Sequence, residues 1–317
     1  MSILIVILMY AGWSSMFSLG KMALEYSPPL FLTASRMLLA GILITAILAI
    51  KNRFAFKLPL KKWGLIALLA LFSIYLTNAF EFWSLRQMSA AKTCFIYSLS
   101  PFFAALFSYL QFGEKMNGRK WLGMGIGFAG ILPVLALQKG ADELLSGFLY
   151  LSWPELAMIG ASLCTVYGWV LLRDIVKDSS VSPFMANGLS MLIGGSFALI
   201  HSYLIEPWNP LPVSMASLVP FTKGILVMTL ISNIICYNIY GMMLKKYTAT
   251  FLSFMGVLSP IFASINGWFF LGEPLSPVIF FSTGIVSLGL WLIYSAELSQ
   301  GYIVQPRKGA KPLAETP

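Results

Sequence analysis

Apolar stretches of eighteen or more residues alternate with short polar breaks along nearly the whole chain. At 1.5 Å per residue, each stretch is long enough to cross a hydrocarbon core about 30 Å thick. Lipid offers no partner to an exposed backbone N–H or C=O, so the pattern predicts helices. Reading run by run places spans at 3–21, 30–50, 63–82, 90–111, 121–138, 153–172, 183–204, 220–241, 248–271 and 277–295. The predicted fold class is an all-α polytopic membrane protein with ten transmembrane helices. The first run has no basic residues ahead of it and no small-residue cleavage site, and it continues into Lys21. It therefore reads as a span and not as a cleaved signal.

Composition agrees, with 58% hydrophobic residues, 10% charged and a mean hydropathy of +0.81, against about 25% charged in soluble domains. The net charge of +9 does not point to nucleic acid, because the basic residues sit in short clusters between apolar runs. With the N-terminus in the cytoplasm, fifteen of the twenty-one basic residues fall on the inner side, among them Lys51, Lys61, Lys62, Lys115, Arg119, Lys120, Arg173, Lys177, Lys245 and Lys246. The positive-inside bias thus predicts both termini cytoplasmic. The segment from Glu206 to Pro220 carries four prolines and reads as a stiff outer loop, and the tail after Leu298 as cytoplasmic and disordered. Cys94, Cys164 and Cys236 all lie in apolar runs without CxxC spacing, so neither disulfides nor a metal site is expected.

The halves repeat. Residues 89–115 lie over 248–274 at a constant shift of 159, matching Leu99, Ser100, Pro101, Phe103, Gly113 and Glu114 with Leu258, Ser259, Pro260, Phe262, Gly272 and Glu273. The same shift pairs Gly130 with Gly289, and a shift of 154 pairs Pro29 with Pro183 and Gly41 with Gly195. Five spans per unit is an odd number, so consecutive copies enter the membrane with opposite polarity. That is the inverted-repeat plan of secondary transporters, with the site at the midplane between halves. The expected organisation is a five-helix repeat over 1–140, a linker over 141–152, a second repeat over 153–297 and a tail over 298–317.

The doubled LSP(F/I)F element, the Gly-Glu closing spans four and nine, and the SAA and TAT lead-ins to those spans resemble the EamA domains of the drug/metabolite transporter superfamily. The resemblance covers about residues 3–297. It implies a ten-helix carrier of small metabolites in a bacterial cytoplasmic membrane, with no enzyme activity and no cofactor. Within the superfamily the chain resembles the S-adenosylmethionine carriers of intracellular bacteria, which exchange that compound for S-adenosylhomocysteine. Export of amino acids or amphipathic drugs is the alternative.

Ionisable and polar groups inside spans are the candidates for the substrate site, because a charge at the bilayer centre costs at least about 2.5–3.5 kcal/mol and tends to face an aqueous cavity. Lys21, Arg36, Glu81, Lys92 and Glu155 qualify. Tyr10, Trp13 and Phe17 form an aromatic face on span one that ends at Lys21, which equally suits a snorkelling lysine. Tyr75, Asn78 and Glu81 recur every three residues on span three, and the shift of 159 carries Asn78 and Glu81 onto Tyr237 and Tyr240, near Asn233. Tyr97, Asn187, Tyr167, Asn266 and Trp268 rank second, since aromatics and amides also serve helix packing. Glu155 opens span six, where a carboxylate complements the helix dipole, and the lone His201 is weak support for a proton relay.

Pro101 and Pro260 are hinge candidates, because a proline within a span removes a hydrogen bond to the carbonyl four residues back and bends the helix. Mixed Lys, Arg and Glu beside Tyr and Trp faces suit a substrate with a planar ring and charged groups. The expected partners are that small molecule and the lipid bilayer, with a homodimer left open. No GxSxG or HExxH motif suggests an embedded enzyme, and no filter-like run suggests a channel.

Overall fold

The computed structural model describes residues 2–51, 58–88, 93, 96–137, 152–177, 181–271 and 277–303. Regular structure among these residues is helical throughout, with no strand. The helices are α1 (Ser2–Ala23), α2 (Pro29–Lys51), α3 (Leu60–Gln87), α4 (Ser100–Phe112), α5 (Gly118–Leu137), α6 (Trp153–Lys177), α7 (Pro183–Ile205), α8 (Met215–Met243), α9 (249–271) and α10 (Val278–Ser299). Seven of these (α1, α2, α3, α6, α7, α8 and α10) are long and apolar enough to cross a membrane. Both α3 and α6 run five residues beyond their expected ends at 82 and 172. Arg86 and Lys177 occupy the extra last turns, where a cation complements the partial negative charge of the carbonyl end.

The prolines sit differently from the expected mid-helix kink. The chain turns at Ser98–Leu99 and α4 starts at Ser100, so Pro101 lies in a first turn, where its missing N–H is an orphan in any case. The carbonyl of Tyr97 is not freed, because Ser100 Oγ donates to it. In α9 a 3-10 turn over Gly256–Leu258 immediately precedes Ser259 and Pro260, so the second copy is interrupted at the corresponding place. A second doubled irregularity lies in α3 and α8, where π-helical stretches over Ala70–Leu76 and Thr229–Cys236 begin 159 residues apart. Such insertions rotate a helix face partway along its length and favour functional sites.

Two helix pairs hold the bundle together. A methyl group on Gly41 of α2 would lie 2.8 Å from the backbone N of Leu192 in α7, and one on Gly195 of α7 would lie 3.0 Å from the backbone N of Leu38 in α2. The contact is reciprocal under the shift of 154, and it runs antiparallel, since Leu30 at the start of α2 meets Glu206 at the end of α7. The pair α5 and α10 repeats this arrangement: Gly123 lies against Gly289 and Ile293, and Gly130 against Ile285. Small residues let backbones approach where apolar burial contributes little, because lipid is as apolar as leucine. We expect Gly41→Ala to lower the apparent unfolding temperature in detergent by the equivalent of about 1–3 kcal/mol, the usual cost of overpacking. Gly64, with open space around its Cα, is the control, and Gly64→Ala should leave stability unchanged or slightly raised.

Candidate functional site

The site begins with Arg36, which α2 buries to 3% exposure. Its Nη2 donates to Asn78 Oδ1, and its guanidinium lies 4.9 Å from the centre of the Phe82 ring. Asn78 and Phe82 are four residues apart and therefore share one face of α3. Asn78 is itself fixed, because its Nδ2 donates to the carbonyl of Ile74 (2.7 Å), at the end of the π-helical stretch. Glu81, half-buried, follows one turn after Asn78 and lines the same cavity. Arg36 and Glu81 feel each other electrostatically but form no ion pair. Among the described residues the ion pairs are Lys120–Glu297 and Arg173–Glu114.

The cavity lies near the middle of α1, α3 and α6. A cluster of rings forms one wall. Trp13 stands 5.7 Å from Tyr10, 5.5 Å from Tyr237 and 5.6 Å from Tyr240 between ring centres, and it stacks on Trp169 at 6.4 Å. Its Nε1 donates to Ser232 Oγ (3.1 Å), and Tyr10 Oη donates to the carbonyl of Leu252 (2.7 Å), which fixes both rings. The rest of the lining is rich in hydroxyls. Thr165 Oγ1 donates to Thr77 Oγ1, Ser100 bridges to Ser162, and Tyr97 packs edge-on against Phe17. The charges belong to the first half alone, since the shifts carry Arg36 onto Ser190 and Glu81 onto Tyr240.

Tyr10, Trp13, Arg36, Asn78, Glu81, Tyr97 and Tyr237 are thus brought together. Three other candidates are not. Lys21 turns away from the cavity and donates to the carbonyls of Leu85 (3.1 Å) and Met88 (2.5 Å), satisfying the end of α3. Glu155 caps α6, accepting from the Ser152 backbone N (2.9 Å) and hydroxyl. Asn233 is fully buried and donates to Met37 Sδ (2.8 Å), because the π-helical stretch of α8 turns it toward α2. Lys92 lies outside the described residues.

Of the second-rank residues, Asn187 donates to the carbonyl of Tyr237 (2.9 Å), Asn266 to Ser14 Oγ (3.1 Å), and Tyr167 packs on Phe72 and Phe107. The side chain of Trp268 falls outside the described residues. His201 bonds Tyr75 (2.8 Å) in a shallow groove of its own, away from the cavity. The sequence reading missed Trp169, Thr165 and Ser253. The spacing of Thr165 and Trp169, four apart on α6, was the one available signal.

Below the ring cluster lies the end of the bundle where α4 and α6 finish and α5 and α9 begin. There Lys120, 1% exposed, pairs with Glu297, 0% exposed, at 3.2 Å, and Thr248 Oγ1 donates to the same carboxylate (2.6 Å). Arg173 pairs with Glu114 at 2.6 Å and lies over the Phe112 ring at 4.6 Å. Tyr302, just past α10, accepts from the Lys115 backbone N (3.1 Å) and lies under Lys120. Apart from the Thr248 bond, each of these contacts joins a residue before 141 to one after 152.

A family model described as the EamA-like transporter family matches residues 1–136 and again 152–295. The S-adenosylmethionine/S-adenosylhomocysteine transporter of Chlamydia muridarum (strain MoPn / Nigg) is 41% identical over 305 residues, covering 96% of this chain and 95% of that protein. The transporter of the same description from Chlamydia trachomatis serovar L2 is 40% identical over 305 residues, covering 96% and 92%. A crystal structure of a protein 17% identical in sequence superposes with a TM-score of 0.73 over 94% of this chain and 98% of its own. That last likeness concerns the fold alone.

Proposed function

Because the chain belongs to the EamA-like transporter family, a multi-pass membrane carrier and not an enzyme, we propose that it takes up S-adenosylmethionine in exchange for S-adenosylhomocysteine across a bacterial cytoplasmic membrane. The observation that carries this reading is a cation and an anion, Arg36 and Glu81, neither in an ion pair among the described residues, facing one cavity beside a cluster of rings. A buried charge without a partner is expensive, so a cavity that holds one of each sign apart is built for a ligand that supplies both counter-charges. An amino-acid head group does this, its carboxylate on the Arg36–Asn78 pair and its ammonium on Glu81. Guanidinium suits the carboxylate because its planar fork matches two oxygens. The sulfonium and the adenine then meet Trp13 and Tyr237, whose ring faces attract cations and stack on planar bases.

Ten spans, in two inverted halves with both termini inside, remain our reading of the topology. It is supported by the antiparallel, reciprocal contacts of α2 with α7 and of α5 with α10, and by two separate matches to one family model. Alternating access follows if the halves rock about the central cavity. The ion pairs Lys120–Glu297 and Arg173–Glu114 then form the inner gate, since rocking that opens this end separates the residues they join. Pro101 and Pro260, each at an interrupted helix beside the cavity, are the hinge candidates.

The test is uptake of radiolabelled S-adenosylmethionine by a bacterial host expressing the chain. We expect saturable uptake that excess S-adenosylhomocysteine suppresses and that exceeds cells without the chain several-fold. Background uptake despite verified membrane insertion would remove this substrate and leave the carrier assignment standing.

A further inference from the structure

Tyr10 lines the cavity, but its hydroxyl is already committed: it donates to the backbone carbonyl of Leu252 on α9 (2.7 Å), 242 positions away in the chain. In an unbroken α-helix that carbonyl accepts from the N–H four residues on, at Gly256. Here the 3-10 turn over Gly256–Leu258 interrupts α9, and the N–H groups at the break reach the carbonyls of Ser253 and Phe254 instead. The break thus releases the Leu252 carbonyl, and Tyr10 takes it up. A buried carbonyl without a partner is costly, so the break and the tyrosine hydroxyl stabilise each other. Gly256 makes room for this, since a methyl group there would lie 3.1 Å from Cε1 of Tyr10.

The seven residues before the break, Ala249–Met255, are all buried and run from the inner ion pair to the cavity. At the cavity end Ser253 and Gly256 are part of the lining. At the other end Thr248 caps the segment, its Oγ1 accepting from the Phe251 N–H (3.0 Å). The same hydroxyl donates to Glu297 (2.6 Å), the carboxylate paired with Lys120. The alternative form of α9 is continuous, with the Gly256 N–H returned to Leu252 and the Tyr10 bond given up. One hydrogen bond replaces another, so the two forms lie close in energy, and a helix that loses such a break changes direction there. We propose that Tyr10 is a positioning residue for the transport cycle, its hydroxyl holding α9 bent so that Ala249–Met255 acts as a lever between the cavity and the Lys120–Glu297 pair. This rests on the alternating-access reading above and deepens it, since it names the element that carries a change in the cavity to the inner gate. Trp13, 5.7 Å from Tyr10 between ring centres, is where a ligand in the cavity acts on the tyrosine.

The experiment is a double-mutant cycle of Tyr10→Phe with Thr248→Val. The first removes one hydroxyl and keeps the ring, and the second removes the bond to Glu297 at the other end of the segment. The two side chains bond different partners, so independent effects on rate would multiply. The readouts are uptake of labelled S-adenosylmethionine into proteoliposomes loaded with S-adenosylhomocysteine, and the affinity of the purified protein for S-adenosylhomocysteine. We expect each single variant to slow exchange about 5-fold, the worth of one neutral hydrogen bond, and the double variant to be scarcely slower, with affinity within about twofold throughout. Thr248→Ser, which keeps the hydroxyl, should exchange at close to the wild-type rate. A slowing of roughly 25-fold in the double variant overturns the lever, as does unchanged exchange in Tyr10→Phe. An affinity in Tyr10→Phe that falls as far as its rate makes the hydroxyl a ligand group and overturns the lever too. If wild type does not exchange the two compounds, the exchange reading fails, and the same cycle read by unfolding temperature in detergent still decides on the lever. A double variant that unfolds no earlier than the weaker single supports it, and summed losses overturn it.

Discussion

Arg36→Gln is expected to reduce S-adenosylmethionine uptake at low substrate concentration by about 100-fold while the protein inserts and folds normally. The side chain is buried, one face of its guanidinium lies on Phe82, one nitrogen is held by Asn78, and its Nε has no partner. Truncating one member of a desolvated charge pair costs about 2–5 kcal/mol, or roughly 30- to 3,000-fold at 1.4 kcal/mol per tenfold, so the estimate lies in the lower middle of that range. Stability should change little, because glutamine removes a buried charge that forms no ion pair among the described residues and keeps an amide for Asn78. That combination separates a binding role from a structural one. Arg36→Lys should recover only part of the activity, since an ammonium cannot present two parallel donors to a carboxylate. Glu81→Gln should lower uptake too, with expression retained. Initial rates at several substrate concentrations, together with thermal unfolding in detergent, check all three. Normal kinetics in Arg36→Gln would remove the cation from the site.

The second large effect concerns the gate. Lys120→Met should destabilise the protein by about 3–5 kcal/mol, because it strands Glu297 as a buried, uncompensated carboxylate that keeps only its bond from Thr248. Glu297→Gln should restore most of that loss when combined with Lys120→Met, since a buried pair replaced on both sides is often close to neutral. The double-mutant cycle isolates the coupling, which we expect to exceed about 2 kcal/mol. Function should not return with stability. Without the ion pair, the state closed at this end loses a bond that crosses between the halves, so the exchange rate of the double variant stays below wild type. Additive effects of the two substitutions in thermal unfolding would mean that the pair is not a clamp.

How much of this was legible in the sequence depends on the range over which each feature is determined. The helical class was, because hydropathy over some twenty residues reports directly on burial in lipid, yet ends shifted at Gln87 and Lys177, the expected span at 90–111 gives a helix only from Ser100, and seven of the described helices are long and apolar enough to cross. The glycines that seat α2 on α7 were visible as matching positions, Gly41 and Gly195, although their reciprocal contact needed three dimensions. Arg36, Asn78, Glu81 and Tyr237 stood out because polar groups in apolar spans are expensive. Lys21 and Glu155 stood out for the same reason, yet both satisfy helix ends, and nothing local distinguishes a lysine that reaches carbonyls from one that reaches a substrate. Asn233 was misread because a π-helical stretch changes which face a residue occupies, and no simple periodicity reveals one. Thr165 and Ser253 were missed because a serine or threonine in a span is cheap. Lys120 and Glu297 lie far apart in sequence, so their pairing is a consequence of α5 packing on α10 and of nothing nearer.

The central claim is exchange through a cavity that reads a zwitterionic head with Arg36. The most direct measurement is uptake of labelled S-adenosylmethionine into proteoliposomes holding the purified protein, loaded inside with S-adenosylhomocysteine or left empty. The account predicts that internal S-adenosylhomocysteine accelerates uptake several-fold for wild type and has no effect for Arg36→Gln. Equal uptake into loaded and empty vesicles, or acceleration that survives Arg36→Gln, would contradict it.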